Sequence, residues 1–565
     1  MAIRLGRSIT QLLLLTCVAV PAAHAATADT VILHGHVYSA NGTGTFAQAV
    51  AIKDGYILAT GSDAEIERMR DARTRVIDAK GGAVTPGIID THVHFLMGAS
   101  ALDQFDATGA RDGAELSRRV KAFADAHPER PWLLGFGYFS DALTARDFDV
   151  ASGGKPVVIR AGDGHSMLAN GKALALAGIT RTTPDPIGGK IVRDAAGNPT
   201  GHLLETAQGL MAKAVPAMTD ADRMRLLRLG TQAAYKAGVT SILNVGGTDD
   251  LAVFERARAA GTLGIRIYSA LWLTKEMATA ELPQSFDFDR AALARFNAVR
   301  AAHKDDPMLR AGIVKIMLDG VIESHTASML APYTDDPATS GHANYTPEQL
   351  RRIITMMDAD GWQVMTHGLG DRAVRIALDA YEAAAKANPA PARGRRHKIE
   401  HVETIDPADV PRFGQLGVTA SLQPDHGGGM NDPKQEARRW KYLGYTRSAW
   451  GFPWKSIKAS GGRVAFGSDW PVAPLDIGPG MAVATQRVPH PPIPDQALSV
   501  AEVIDAYTRD AAYSIFADKE IGTLEPGKRA DIVVFRDDIF AGKGGATLPA
   551  AYTLLDGKVV YQAAQ

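Results

Sequence analysis

Pro86-Gly87-Ile88-Ile89-Asp90-Thr91-His92-Val93-His94 is the stretch on which the fold turns. An apolar run leaves a Pro-Gly turn and ends in two histidines one residue apart. Side chains alternate along a strand, so both imidazoles are sent to the same side. Such a pair is half of a metal site. The spacing is weak by itself, because a second His-x-His, His34-Gly35-His36, stands in a run that reads as an exposed edge strand with no chemistry around it.

Downstream the pattern alternates strand and helix. Thr346 as N-cap, Pro347 in the first turn and Gln349 at the capping-box position predict a helix with an apolar stripe of Leu350, Ile353, Ile354 and Met357, stopped by Gly361. The run 362–365 follows as a strand. With 84–90, 239–245, 266–271, 313–318, 397–402, 418–422 and 464–467 it makes eight candidate parallel strands. This predicts an α/β fold, a (β/α)8 TIM barrel over residues 86–519. The interval from His94 to Thr240 is too long for one crossover, so an inserted subdomain is expected at about 100–235.

The two ends share another texture. Residues 26–85 and 520–565 read as short strands with tight turns, among them Lys53-Asp54-Gly55 and Asp556-Gly557, and predict one small composite β-sandwich domain built from both chain ends.

The 565 residues are 46% hydrophobic and 22% charged, the balance of a globular protein, with a formal charge of -1 and no long basic or acidic block. Nucleic acid and anionic membranes are therefore poor partners, and a small-molecule substrate fits better. Residues 1–25 read as an export signal: Arg4 and Arg7, an apolar core, then Pro21-Ala22-Ala23-His24-Ala25. Cleavage after Ala25 would leave a periplasmic or secreted protein with no later stretch able to span a bilayer. It would also remove Cys17, the only cysteine, so any metal must be held by nitrogen and oxygen.

In a barrel of this type the reactive side chains sit at the C-terminal ends of the strands. Those ends offer His92 and His94, then Lys315, His367, His401 and Asp469. Lys315 lies in the apolar run Ile313-Val314-Lys315-Ile316-Met317-Leu318. Burial would favour its neutral amine, which can take up carbon dioxide as a carbamate and so bridge two cations; a lysine snorkelling from a strand end is the plainer account. A lone strand-end histidine such as His367 is more often a hydrogen-bonded core residue than a ligand, and for Asp469 in Gly467-Ser468-Asp469 a cap is the commoner explanation. His397-Lys398-Ile399-Glu400-His401 matches the H-x-x-E-H peptidase pattern, but that motif needs a helix and this run reads as a strand. On a strand 397, 399 and 401 share a face, with His401 at the top.

The segments VTPGIIDTHVH, GDGHSMLANGKAL, GHLLE, IVKIMLDG, THGLGDRA, KIEHVE, FGSDWPV and GTLEPGKRADIVVF, in this order, resemble the amidohydrolase superfamily, in the branch that includes N-substituted formamide deformylases. The resemblance spans the mature chain. It implies that His92, His94 and Asp469 hold one divalent metal and His367 and His401 a second, as zinc ions bridged by carbamylated Lys315, with a one-metal site as the alternative. It further implies hydrolysis of a C-N bond, amide or N-substituted formamide, by metal-activated hydroxide, with Asp469 as catalytic proton shuttle. Deamination, ester or lactone hydrolysis on the same site, and a non-catalytic binding protein on a retained barrel, are the competing readings. His165, Asp371 and Arg372 match family segments expected near the substrate, and His325 and His426 stand in loops that would line the pocket. Gly427-Gly428-Gly429 after His426 reads as a mobile loop, and a homodimer is compatible with the sequence.

Overall fold

In the computed structural model, which describes residues 27–137, 142–161, 166–186, 189–273, 290–542 and 547–564, eight parallel strands follow one another around a single sheet. They are β1 (Ile88–Val93), β2 (Val239–Asn244), β3 (Arg266–Trp272), β4 (Leu309–Met317), β5 (Gln363–Gly368), β6 (Lys398–His401), β7 (Thr419–Leu422) and β8 (Arg463–Phe466). The seam between β8 and β1 is closed by single bonds rather than a full ladder. Thr91 Oγ1 donates to the Phe466 carbonyl at 2.9 Å, the Asp469 amide to the His92 carbonyl at 2.7 Å, and the His94 amide to the Trp470 carbonyl at 2.9 Å.

The lower barrel is a filled core. Ile89, Leu243, Tyr268, Ala270, Ile313 and Met365 pack with Ala511, Ala512, Ile515 and Ile521, whose segment plugs that end. Outside, the helices bury their apolar stripes against the strands. The helix Pro347–Ala359 shows the predicted chemistry in full: Thr346 and Gln349 form a capping box, the four stripe residues are buried, and Gly361 takes φ +77°.

The predicted strand 84–90 is in fact two strands. Ala83–Pro86 pairs with His36–Tyr38 and with Ile532–Phe535 in a six-stranded sheet, and the barrel strand begins only at Ile88. Gly87 makes the passage. A Cβ there would lie 2.3 Å from Thr240 Oγ1, so a bare backbone is needed where the chain slips past β2. A four-stranded sheet from Thr30–Leu33, Ala49–Lys53, Tyr56–Gly61 and Arg75–Asp78 faces the six-stranded one. Ile32, Val50, Ile52 and Ile77 meet Val84, Ile532, Val534 and Leu554 between them, which is a sandwich core drawn from both chain ends. Both predicted tight turns have two consecutive residues at positive φ, Asp54-Gly55 and Asp556-Gly557, as a type I′ hairpin requires.

Between β1 and β2 lies a separate mixed sheet of six strands, from Phe105–Asp106 to Pro199–Glu205, with its own apolar clusters. Among the described residues no helix is long and apolar enough to cross a membrane. The proposed signal at 1–25, Cys17 included, lies outside the described residues.

Candidate metal centre

At the C-terminal end of the barrel, His92, His401 and Asp469 each present a ligand atom within 4.8 Å of the others, all three buried. The imidazole Nε2 atoms of His92 and His94 lie 3.5 and 3.3 Å from one oxygen, Asp469 Oδ1. His367 joins through His401, ring centre to ring centre 4.6 Å. Lys315 is 2% exposed on β4, and its charge is felt by Glu400, Asp469, His92 and His401. The six strand-end residues are thus gathered at one end of one barrel. The close trio takes its histidines from β1 and β6, which the family resemblance assigns to different metals.

His94 is not on β1. It caps the helix Phe95–Leu102, one step past the strand, yet its Nε2 still reaches the carboxylate. His401 departs further from simple alternation. Lys398 and Glu400 face the barrel interior, where Lys398 Nζ donates to the Thr91 carbonyl at 3.3 Å and Glu400 Oε2 lies 2.6 Å from His92 Nδ1. His397 faces the helices, with Nδ1 accepting the Val364 amide at 3.1 Å and Nε2 3.2 Å from Asp358 Oδ1. Strict alternation would send His401 the same way. Its φ of +74°, followed by +46° at Val402, breaks the alternation and returns the ring to the site. The expectation that 397, 399 and 401 share a site-facing side is therefore corrected, and the strand geometry of β6 leaves no helix for a peptidase motif.

Three acceptors that the sequence reading passed over fix the imidazoles. His92 Nδ1 donates to Glu400, His367 Nδ1 to Asp319 Oδ1 at 2.9 Å, and His401 Nδ1 to Gln423 Oε1 at 2.8 Å. With Nδ1 protonated and engaged, each ring is left with a bare Nε2, the form in which histidine binds a cation. Asp319 is itself tied down: Leu369, Gly370 and Ser328 amides donate to it at 3.2, 3.0 and 3.0 Å. The signal was present in KIEH, SLQPDH and IMLDG, but an acceptor for the far nitrogen of a ring follows no spacing rule.

Electrostatics agree with that tautomer. Burial, helped by the Lys315 charge, drives His92 down to about 4, so its ring is neutral. Burial likewise holds His401 well below its ordinary value. Burial would raise Glu400, but Lys398 and His92 outweigh it and hold the carboxyl down at about 2. Asp469, also opposed by burial, is kept well below the usual carboxylate range by His92 and His94. Its Oδ1 is buried with no protein hydrogen bond. Lys315 is pushed down to about 8 by burial, against the pull of Glu400 and Asp469. A buried anion whose oxygen is left to nothing but imidazole nitrogens is a costly arrangement without a cation, so the donor set fits a divalent metal.

Asp90 lies beneath the site and receives the Ser468 amide at 2.9 Å and the Ser468 hydroxyl at 2.5 Å, locking the turn that carries Asp469. Burial raises it to about 7. Of the weaker candidates, Asp371 is buried and accepts the Leu330 amide at 2.7 Å, holding the loop after β4. Arg372 is exposed on the helix Asp371–Ala387. His325 Nε2 is 2.8 Å from Asp335, and its ring packs on Tyr333. His426 stacks parallel to His401 at 6.2 Å. His165 lies outside the described residues. The glycine run after His426 forms a 3-10 turn, Pro424–Met430, rather than an open loop. The decoy pair stays apart: His34, in the bend after Thr30–Leu33, lies 3.1 Å from Asp78, while His36 lies 2.9 Å from Asp538.

Residues 75–561 match the amidohydrolase family. The chain is 31% identical to the protein LONG AFTER FAR-RED 3 of Arabidopsis thaliana, over 94% of this chain and 92% of that one. It is 29% identical to the putative amidohydrolase YtcJ of Bacillus subtilis and 27% identical to the N-substituted formamide deformylase of Arthrobacter pascens, each over 94% of this chain and 98% of the relative. In fold it resembles an uncharacterized metal-dependent hydrolase from Pyrococcus furiosus, with a TM-score of 0.70 at 24% identity over 89% of this chain and 98% of that one. A barrel with its histidines and aspartate at the C-terminal rim, matched by the family along nearly its whole length, makes this chain a member of the amidohydrolase family.

Proposed function

We propose that this protein is an exported metal-dependent hydrolase that cleaves a C-N bond, amide or N-substituted formamide, in a small molecule. The observation that carries the proposal is the set of three imidazoles with Nδ1 already engaged by Glu400, Asp319 and Gln423, around a carboxylate oxygen that no protein donor satisfies. His92, His94 and Asp469 would hold one zinc ion and His367 and His401 another, with Lys315 as a carbamate between them. A cation in this set supplies a Lewis acid for the scissile carbonyl and an acidified water.

The chain's own residues do the rest. Asp469, whose carboxyl is held well below its usual range, takes the proton of the attacking water on the carboxylate oxygen not offered to the metal and returns it to the leaving nitrogen. Glu400, Asp319 and Gln423 keep the imidazoles from turning. Lys315, lowered to about 8, has an appreciable neutral fraction near pH 7.5, which is the form that carbon dioxide carboxylates.

The test is metal content, then turnover. Protein expressed with zinc should carry at least one divalent ion per chain, and Lys315→Ala should lower that content. Less than about half an equivalent in the wild type would end the proposal. Zinc-loaded protein would be screened on N-substituted formamides, N-acyl amino acids, cyclic amides and lactones, and the N-terminus of the periplasmic fraction sequenced for cleavage after Ala25. Turnover of lactones alone would move the reaction class to ester hydrolysis.

A further inference from the structure

His94 is held differently from the other histidines of the metal centre. His92, His367 and His401 each have an acceptor on Nδ1, whereas among the described residues nothing accepts from Nδ1 of His94. It stands past the end of β1 as the N-cap of the helix Phe95–Leu102, with its side chain 25% exposed. An N-cap residue ordinarily takes an orphan amide of the first turn on its own side chain, which is why Ser, Thr, Asp and Asn are favoured there. The His94 ring makes no such bond and is turned to Asp469 instead.

The capping task passes to the neighbouring strand. Asn244, the buried last residue of β2, accepts the Phe95 amide on Oδ1 at 2.9 Å. Its Nδ2 donates to Asp250 Oδ2 at 3.2 Å, which fixes which way round the amide group sits. Bare backbone leaves room for this pair, since a Cβ on Gly246 would run into Asp250 Oδ2 and lie 3.1 Å from Asn244 Nδ2. Both peptide groups flanking the His94 Cα are thereby fixed. The Val93 carbonyl accepts the Val245 amide at 2.8 Å, the His94 amide donates to the Trp470 carbonyl at 2.9 Å, and the Phe95 amide goes to Asn244.

We propose that Asn244 is a positioning residue for the metal ligand His94: by capping the helix from outside, it fixes the backbone from which the ring reaches the metal and releases that ring from capping. The inference rests on the metal-dependent hydrolase reading above. Without this acceptor the first turn loosens, and the His94 Nε2, 3.3 Å from Asp469 Oδ1, loses its set direction. β2 thus serves a centre to which it gives no ligand.

The test is the zinc affinity of the full-length protein in competition with a chromophoric chelator, with the visible spectrum of the cobalt-substituted protein and the thermal midpoint of the metal-free protein measured alongside. Asn244→Leu, similar in size but without the acceptor, should weaken zinc roughly ten- to a hundredfold and shift the cobalt spectrum. Asn244→Asp combined with Asp250→Asn exchanges donor and acceptor between the two positions and keeps an oxygen for the Phe95 amide, so it should return affinity to within about threefold of wild type. Ser62→Ala removes a cap from the short helix Asp63–Glu67 beside the sandwich and should leave zinc affinity within about twofold. Zinc binding by Asn244→Leu within about twofold of wild type, an exchanged pair no better than Asn244→Leu, or an equal loss in Ser62→Ala would each overturn the assignment. Should Asn244→Leu not fold, Asp250→Ala removes the orienting partner alone; a smaller loss of zinc affinity is expected, and an unchanged affinity would overturn the assignment. Wild type that retains no metal would instead remove the reading on which the inference rests, which the wild-type measurement separates from failure of Asn244 alone.

Discussion

Glu400→Gln separates what the barrel interior needs from what the metal site needs. Glu400 and Lys398 are both 0% exposed, 3.4 Å apart, and Glu400 also accepts from His92 at 2.6 Å. The substitution keeps the shape and removes the charge. Lys398 is left in the interior with the Thr91 carbonyl, at 3.3 Å, as a hydrogen-bond acceptor. Breaking one side of a buried ion pair costs about 3–5 kcal/mol, and neutralisation of Lys398, whose pKa burial already lowers, limits the loss to the low end of that range. Adding Lys398→Met removes the stranded charge and should recover at least half of it. His92 behaves differently, because it loses its charged acceptor in both variants. Zinc affinity should therefore fall roughly ten- to a hundredfold in the single and the double variant alike. Urea unfolding of metal-free protein reads the first effect, and competition with a chromophoric chelator the second. A loss below ~1 kcal/mol in Glu400→Gln with zinc affinity unchanged, or a double variant no more stable than the single, would refute the reasoning.

Three further outcomes follow from the same geometry. Asp469→Asn removes the anion that His92 and His94 share, and should reduce bound zinc at least about tenfold in dialysis against a weak chelator; full retention would contradict its place as a ligand. Gly370→Ala places a Cβ 2.0 Å from the Ser328 carbonyl oxygen, so the loop after β4 must shift; a loss of ~1–3 kcal/mol is expected in thermal unfolding, and an unchanged midpoint would show that the approach is looser. Asp90 is raised in the folded protein to about 7, so its contribution is present below the unfolded carboxyl value and is lost as pH rises through about 7. Metal-free Asp90→Asn should then gain on the wild type by ~1 kcal/mol per unit between about pH 5 and 7, and parallel stability curves would sink this account.

The barrel was legible because its strands announce themselves by composition and spacing, and the rim residues because a barrel's strand ends can be counted. What stayed hidden has physical causes. The join at Gly87 was invisible because Val84 and Ile88 are equally apolar, although one belongs to a sandwich and the other to a barrel. His401 reaches the site only through a positive φ, and no residue type at that position signals it. Glu400, Asp319 and Gln423 act through a side chain rather than on a ligand, and their partners lie 308, 48 and 22 residues away. His426 was legible as a pocket candidate, but its orientation depends on Glu403 and Arg439, which only the folded loops bring together.

The strand Ile532–Phe535 pairs with Ala83–Pro86, and Asp531 and Asp556 bind Arg266 on β3 at 2.6 and 2.5 Å. The lead-in to the first barrel strand and a buried guanidinium of the third thus wait for residues made after the barrel. A nascent chain holds most of the barrel before it holds the counter-charges and pairing edge that complete it. Loss of even the final forty residues would leave an open edge at Ala83–Pro86 and an unpaired cation at the barrel's lower end, so truncation should yield aggregation rather than a smaller working enzyme.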